Sequence, residues 1–178
     1  MANIEILKPF IRSWEGGFCN IPGDRGGATN KGVTIATFRS VFGKDKTVDD
    51  LKRMTEAQWT FIFRRYYWDK WQADNINSQS IANLLVDWYW TSGSYGIKIP
   101  QYMLGVGVDG IVGPKTLAAI NGYPNEKELF NDLWRNRYGF FERIGVKTQK
   151  KFLAGWLRRL DGIKYGKLIC NGGKVIDY

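Results

Sequence analysis

The spacing of apolar residues predicts a chain built mainly of helices. The first apolar side chains recur at intervals of three and four residues: Ile4, Leu7, Ile11 and Trp14. This spacing predicts a helix that ends at about Glu15. We expect Pro9 to lie in the first turn of that helix, because a proline further inside loses a backbone hydrogen bond and clashes with the preceding turn.

Later segments repeat the helical pattern. Thr55 and Gln58 form a capping box before a run of apolar residues. Helices are predicted at about 56–70, 78–91, 125–144 and 148–160, with a short one beginning at Pro114. Residues 18–33, rich in Gly, Asn and Asp, predict a turn-dominated segment or a small twisted hairpin, and the residues after Asp161 show little pattern. The predicted fold class is therefore mainly α.

Composition narrows the class of protein. The chain has 178 residues, of which 44% are hydrophobic and 15% aromatic, so it can bury a core and is not disordered. Its formal charge of +9 favours an anionic partner: nucleic acid, acidic lipid or the bacterial wall. A nucleic-acid-binding protein would need basic residues interleaved with exposed aromatics in a known motif, and no such motif is present.

The cysteine and histidine content argues against a metal or cofactor. Cys19 and Cys170 lack the spacing of metal ligands, and the chain contains no histidine. A zinc site and a histidine-based catalytic triad are therefore not expected, and we predict no cofactor. The two cysteines could form one disulfide or remain two free thiols.

The start of the chain predicts where the protein is made. No basic stretch followed by a long apolar run is present there, so a standard signal peptide is not expected. No apolar run approaches the roughly 20 residues of a membrane helix, so stable membrane insertion is not expected either. We expect synthesis in the cytoplasm. An activity in the periplasm or cell wall would then require a holin or another export route.

One segment carries candidate chemistry. Glu15 ends a helix, Asp24 follows nine residues later, and Thr29 follows five residues after that. The negative end of the helix dipole and flanking aromatic side chains favour a protonated Glu15, which could donate a proton to a glycosidic oxygen. Asp24, on a hydrated loop, would stay ionised and orient water or stabilise an oxocarbenium-like transition state. Thr29 could hold that water.

The same segment resembles a known family. The residues are Glu15-Gly16-Gly17-Phe18, then Asp24-x-Gly26-Gly27-x-Thr29-Asn30-x-Gly32-Val33-Thr34. They are similar to the signature of the glycoside hydrolase family 108 muramidases, and the Glu–Asp–Thr set is similar to the catalytic trio of phage-type lysozymes. Members are often described as secretion activators, and many are prophage-encoded. The resemblance implies a lysozyme-like helical domain with Glu15 as the catalytic residue.

Further motifs extend the resemblance towards the C-terminus. Asp109-Gly110-x-x-Gly113-Pro114-x-Thr116 matches an element of the family's peptidoglycan-binding-like region, although the residues by themselves favour a turn that caps a helix. Phe152-x-x-Gly155-Trp156-x-x-Arg159 resembles its last helix. The implied organisation is a catalytic lobe at 1–95 and a helical lobe at 96–178 in one compact unit. Thr91 departs from the family, which usually has an asparagine in the motif that begins at Asp87.

Three residues are predicted to contact the substrate. Trp90 and Tyr95 lie near a helix end rich in Gly and Ser, where they could line a sugar cleft. Asn30 belongs to the family signature. These assignments accompany the predicted catalytic residues Glu15, Asp24 and Thr29.

The function implied by residues and resemblance is hydrolysis of the β-1,4 bond between N-acetylmuramic acid and N-acetylglucosamine. Glu15 donates the proton, and Asp24 and Thr29 position water on the other face, which implies inversion if the carboxyl groups lie roughly 6.5–9.5 Å apart. If Asp24 points away, the same site could work as a lytic transglycosylase that leaves an anhydro-sugar. A wall-binding or secretion-linked protein without catalysis is the alternative from another class.

Overall fold

The protein is mainly α-helical. The computed structural model describes residues 1–20, 27–148 and 150–178. Nine α-helices lie in these ranges: α1 Ile4–Trp14, α2 Ile35–Phe42, α3 Val48–Lys52, α4 Glu56–Phe63, α5 Gln79–Ser92, α6 Tyr95–Met103, α7 Pro114–Asn121, α8 Glu126–Thr148 and α9 Lys150–Asp161. The predicted hairpin after the first helix is present as β1 (Thr29–Asn30) paired antiparallel with β2 (Val33–Thr34). The predicted fold class is confirmed.

Local capping explains where several helices begin. The Thr34 side chain accepts a hydrogen bond from the Thr37 backbone and starts α2, and the Thr55–Gln58 capping box starts α4. The predicted helix at 56–70 is helical throughout but changes its winding. After Phe63 it continues as a π-helical turn, Arg64–Trp68, and then as a 3₁₀ turn, Asp69–Trp71.

The expected position of Pro9 was wrong. Pro9 lies inside α1, which is capped by the Asn3 side chain and begins at Ile4. Prolines in helix interiors cost about 3 kcal/mol. The helix forms nevertheless, because one of its faces is buried in the core through Ile4, Leu7, Phe10 and Ile11.

The C-terminal residues form a small sheet that the sequence did not predict. Strands β3 (Ile163–Lys164), β4 (Lys167–Ile169) and β5 (Val175–Asp177) pair antiparallel in that order. The strands have only two or three residues each, too few for an alternating pattern to show. Leu168 is fully buried, and β4 lies against α1.

Hydrogen bonds connect the C-terminal residues to α1 and to α5. The Asn171 backbone N–H donates to Ser13 Oγ in α1 at 2.9 Å, and the Gly166 N–H donates to Ser80 Oγ in α5 at 2.9 Å. Helix α5 is the centre of the fold: it packs against α6 and α8, and its residues from Ser80 to Trp88 are all buried. The C-terminal residues therefore complete the core around α5.

The helices and the two cysteines of the described residues bear on the predictions about membrane insertion and disulfide formation. In the part of the chain that the structure describes, no helix is both long enough and apolar enough to span a bilayer. Cys19 is exposed and Cys170 is buried, and both are free thiols.

Candidate active site

Glu15 lies at the end of α1, where the chain leaves the helix. Its backbone is extended, with φ −89° and ψ 137°, and its N–H still donates to Arg12 O at 3.4 Å. Only 16% of its side chain is exposed. The carboxyl group therefore points towards the protein and is largely shielded from solvent.

Two donors from distant parts of the chain hold one oxygen of that carboxyl group. Trp90 Nε1 in α5 donates to Glu15 Oε1 at 2.7 Å, and Arg159 Nη1 in α9 donates to the same oxygen at 2.8 Å. The Trp90 ring is itself packed against Tyr67 at 4.4 Å and meets Phe63 edge-on at 5.6 Å. The position of Oε1 is thus fixed by three separate elements of the fold.

The turn of the β1–β2 hairpin closes on the other oxygen. Gly32 has φ +79°, which favours glycine. A Cβ atom there would lie 2.7 Å from Glu15 Oε2 and 2.5 Å from Trp90 Cζ2. The neighbouring Lys31 carbonyl accepts a hydrogen bond from Trp59 Nε1 at 3.0 Å, which holds the turn in place. Gly32 therefore permits a close approach that no other residue would allow.

The structure separates the predicted site residues into groups. Thr29 lies in the hairpin that covers Glu15, is half-buried, and pairs its backbone with Cys19 at 2.8 Å in both directions. Asn30 points the opposite way: it is buried, and its Nδ2 donates to Leu51 O at 2.9 Å and Lys52 O at 3.1 Å. Asn30 therefore ties the hairpin to α3. Asp24 lies outside the described residues.

The two predicted aromatic contacts also differ. Trp90 reaches Glu15 and forms part of a half-buried aromatic wall with Tyr67 and Tyr89, whose rings lie 5.8 Å apart. Tyr95 is exposed and contacts Phe140 at 5.4 Å, along a separate groove of about 320 Å³ between α6, α8 and α9. The structure brings Trp90 to Glu15 and places Tyr95 away from it.

The aromatic wall next to Glu15 includes an ionisable phenol. Burial raises the pKa of Tyr67 above its ordinary value, and the nearby Tyr89 and Glu15 add to the rise. Tyr67 therefore stays a neutral, amphipathic ring beside the carboxyl group. Such a ring suits contact with the apolar face of a sugar.

Behind Glu15 lies a set of buried charges. Arg159 Nε and Nη2 donate to Asp87 Oδ1 at 3.0 and 2.7 Å, and Arg137 Nη2 donates to Asp87 Oδ2 at 2.6 Å. Asp87 and Arg137 have no exposed side-chain surface. Burial alone would raise the pKa of Asp87, but Arg159 and Arg137 outweigh it and hold that pKa below the ordinary value. Asp87 is therefore a buried carboxylate shared by two guanidinium groups.

Sequence reasoning did not identify these charges as site residues. Asp87 and Arg159 each stood in a family-like motif, but nothing in the sequence showed that they meet. Arg137 gave no signal at all, because it is one of many basic residues on a long helix. A buried arginine cannot be distinguished from a solvated one before the partner helix is placed.

Hydrogen bonds hold the segment from Asp109 to Thr116 in its conformation. The side chain of Gln101, which is fully buried, accepts from the Gly110 N–H at 2.9 Å and donates to Asp109 Oδ1 at 2.8 Å. Asp109 Oδ1 also accepts from the Ile111 N–H at 2.8 Å, and α7 begins at Pro114. Hydrogen bonds within the turn thus account for the conformation.

The structure also bears on metal binding. Within residues 1–20, 27–148 and 150–178, no group of three or more Cys, Asp or Glu side chains converges as a set of metal ligands would. The site described here is built from one carboxyl group, aromatic rings and guanidinium groups.

A shielded carboxyl group beside an aromatic wall is an arrangement that suits the protonation of a glycosidic oxygen between sugar rings. The chain belongs to the glycosyl hydrolase 108 family, whose model matches residues 9–93. A predicted peptidoglycan domain matches residues 95–161. The protein is thus a hydrolase that acts on peptidoglycan.

Solved structures agree with this assignment. The structure of Brucella abortus SagA is similar to this chain, with a TM-score of 0.75 and 32% sequence identity over 88% of each chain. No curated protein sequence matches the chain at a significant level.

Proposed function

We propose that the protein is a muramidase that hydrolyses the β-1,4 bond between N-acetylmuramic acid and N-acetylglucosamine, with Glu15 as the general acid. The observation that supports this most is the asymmetric environment of the Glu15 carboxyl group. Oε1 is occupied by Trp90 and Arg159, whereas Oε2 has no hydrogen-bond partner among the described residues. Oε2 is therefore the oxygen that carries the proton to the substrate.

The proposed reaction needs one proton and one water molecule. Glu15 Oε2–H protonates the bridging oxygen, the bond from that oxygen to the muramic acid C1 breaks, and positive charge develops on the ring. Water then adds to C1 and releases its second proton to solvent, from which Glu15 takes up a proton again, so that one water molecule is consumed for each bond broken. Asp24 and Thr29 are proposed to hold that water on the opposite face, which gives inversion. The hairpin that carries Thr29 covers Glu15 through Gly32. The proposed role of Asp24 rests on the family motif alone.

The aromatic wall supports a saccharide substrate. Tyr67, Tyr89 and Trp90 are half-buried and lie together next to Glu15. A glycan strand placed over Oε2 would meet these rings with the apolar faces of its sugars. The +9 charge of the chain adds a general attraction to a wall that carries carboxylates and phosphates.

The location of the reaction follows from the substrate. We propose that the enzyme meets peptidoglycan in the periplasm or cell wall, and that a holin or another export route brings it there. Fractionation of producing cells, with and without a co-expressed holin, tests this: the proposal requires wall-associated enzyme only when an exit route is present.

Product analysis tests the proposed reaction. Purified sacculi are digested and the soluble fragments are identified by mass spectrometry. We expect disaccharide-peptides that end in reducing N-acetylmuramic acid. Fragments that end in 1,6-anhydro-muramic acid would identify a lytic transglycosylase instead. A protein that pellets with sacculi but releases no fragment would be a binding protein.

Two variants locate the acid. Glu15→Gln should release no fragments while keeping the wild-type circular dichroism and still pelleting with sacculi. Glu5→Gln is the matched control, because Glu5 lies on the same helix, is exposed, and contacts Lys8 only on the surface. It should retain full activity. Fragment release by Glu15→Gln would remove Glu15 from the proposed role.

A further inference from the structure

Four charged side chains form a continuous series of ion pairs through the protein interior. They are connected in the order Glu15–Arg159–Asp87–Arg137, by contacts of 2.6 to 2.8 Å. Only the Glu15 end reaches the surface, since side-chain exposure rises from 0% at Arg137 and Asp87 to 10% at Arg159 and 16% at Glu15. This series of ion pairs therefore runs from the core to the proposed acid, Glu15.

We propose that Arg159 and Asp87 are positioning residues that together fix the place of the Glu15 carboxyl group. Arg159 holds Oε1, and Asp87 takes up part of the guanidinium charge that would otherwise act on Glu15 alone. The inference rests on the proposed function of Glu15.

The geometry of Arg159 supports a divided role. Its Nη1 faces Glu15, whereas Nε and Nη2 both face Asp87 Oδ1. A planar guanidinium held on two sides in this way has little rotational freedom, so the Nη1 position is fixed. Arg137 secures Asp87 from behind and also donates to Thr91 Oγ1 at 3.1 Å. Arg137 thus makes Asp87 a rigid anchor for Arg159.

The charge count explains why Asp87 is needed. With Glu15 ionised, the four side chains carry two positive and two negative charges. When Glu15 is protonated, a net positive charge remains in a largely buried site. Asp87 keeps Arg159 paired in that state, so Glu15 can take up a proton without leaving a buried guanidinium unpaired.

The same arrangement assists proton transfer to the substrate. Once the proton leaves Glu15, the new carboxylate already faces the Arg159 guanidinium and the Trp90 N–H. These donors are in place before the reaction and stabilise the charge that it creates.

The other groups near Glu15 are few. Tyr67 and Trp90 are uncharged, and Arg12 on α1 is engaged by Glu56 at 2.6 Å. Lys31 adds a charge in the hairpin turn. Asp24 and Arg25 lie outside the described residues. Arg159 is the only cation that contacts the Glu15 carboxyl group among the described residues.

Two variants and a control test the inference. Arg159→Gln removes the guanidinium that holds Oε1. Its kcat with soluble glycan fragments should drop by about 10- to 100-fold because Oε1 loses its anchor, whereas the KM for these fragments should stay near the wild-type value. Asp87→Asn loosens Arg159 and should lower kcat by a smaller factor. Arg158→Gln, an exposed neighbour on α9, is the control and should change neither kcat nor KM.

A second measurement keeps the test independent of activity. Trp90 Nε1–H donates to the same Glu15 oxygen as Arg159, so its ¹⁵N-labelled NMR signal, assigned by its absence in Trp90→Phe, reports whether Oε1 stays in place. This signal should shift in Arg159→Gln, shift less in Asp87→Asn and stay at its wild-type position in Arg158→Gln. Arg159→Lys should leave kcat low, because one ammonium group cannot hold Oε1 and Asp87 at the same time. If Asp87→Asn does not fold, the comparison of Gln with Lys at position 159 decides.

The outcomes separate this inference from the proposed function. Loss of activity without any shift of the Trp90 Nε1–H signal would make Arg159 and Asp87 merely structural, and would overturn the inference while Glu15 remains the acid. An active Glu15→Gln would instead overturn the proposed function.

Discussion

The protein has two kinds of interior, and they serve different ends. Around α4 and its π-helical extension the core is aromatic, with three tryptophans fully buried: Trp59, Trp68 and Trp71. Between α5, α8 and α9 the core contains charged side chains, because Asp87, Arg137 and Arg159 are buried together there. Apolar burial supplies stability roughly in proportion to area. Buried ion pairs contribute little net stability but require a defined geometry.

The two interiors hold the candidate active site in different ways. The aromatic interior fixes Trp90 by packing, and the charged interior fixes Arg159 by directed hydrogen bonds. Both meet at one atom, Glu15 Oε1. We therefore expect changes in the aromatic interior to lower stability at every pH, and changes in the charged interior to lower both activity and stability, with a loss of stability that depends on pH.

The largest effect on stability should come from the aromatic interior. Trp71→Ala removes a fully buried ring from the 3₁₀ turn that follows the π-helical extension of α4, and should lower the free energy of unfolding by about 3–5 kcal/mol. Urea denaturation measures this. The exposed Phe61 is the control, and Phe61→Ala should cost about 0.5 kcal/mol or less. Equal losses in the two variants would contradict the division between core and surface.

The charged interior should make the free energy of unfolding depend on pH in the acidic range. A carboxyl group whose pKa is lower in the folded protein than the unfolded value of about 3.9 stabilises the fold above that value, and this contribution is lost as the pH falls towards the folded pKa. Asp87 is such a group, because Arg159 and Arg137 outweigh its burial. Wild type should therefore exceed Asp87→Asn in unfolding free energy at about pH 6, with the gap narrowing towards about pH 3. A gap that stays constant with pH would argue against an ionised Asp87.

The contact between the hairpin and the acid can be broken by one methyl group. Gly32→Ala should reduce activity by about 10-fold or more, because its Cβ would displace Glu15 Oε2 or the Trp90 ring. Gly166→Ala is a matched control: Gly166 has a similar φ of +82°, but a Cβ there would meet nothing within 4 Å. Both variants should lose about 1–2 kcal/mol of stability from backbone strain, and only Gly32→Ala should lose activity. Similar kcat values for the two would contradict the close approach.

A smaller effect is expected at Asn30. Asn30→Ala leaves the Leu51 and Lys52 carbonyls without their donor and should cost about 1–2 kcal/mol of stability. The KM for soluble glycan fragments should not change, because the amide faces α3. A raised KM with unchanged stability would return Asn30 to its predicted role in substrate binding.

Much of the fold could be predicted because its signals are local. The capping residues Thr34 and Thr55 and the apolar spacing of α1 are properties of short segments, and they mark helices that the structure contains. Pro9 misled the prediction, because buried contacts made by the rest of α1 outweigh a local cost. The strands after α9 are too short to carry a pattern.

The site was predictable only in its nearest part. Glu15 could be found because a carboxyl group at a helix end, followed by a glycine-rich segment, is a local feature. Its partners Trp90 and Arg159 are 75 and 144 residues away in sequence, so their contacts depend on how α5 and α9 pack. Asn30 shows the converse: a residue within the motif that serves the packing of the hairpin.

The most direct test of the central claim is the rate at which new muramic acid reducing ends appear when equal amounts of folded wild-type and Glu15→Gln protein act on the same sacculi. The account predicts steady release by wild type and a rate at least about 1,000-fold lower for Glu15→Gln, since the amide cannot supply the proton. Release by Glu15→Gln within about tenfold of the wild-type rate would contradict it.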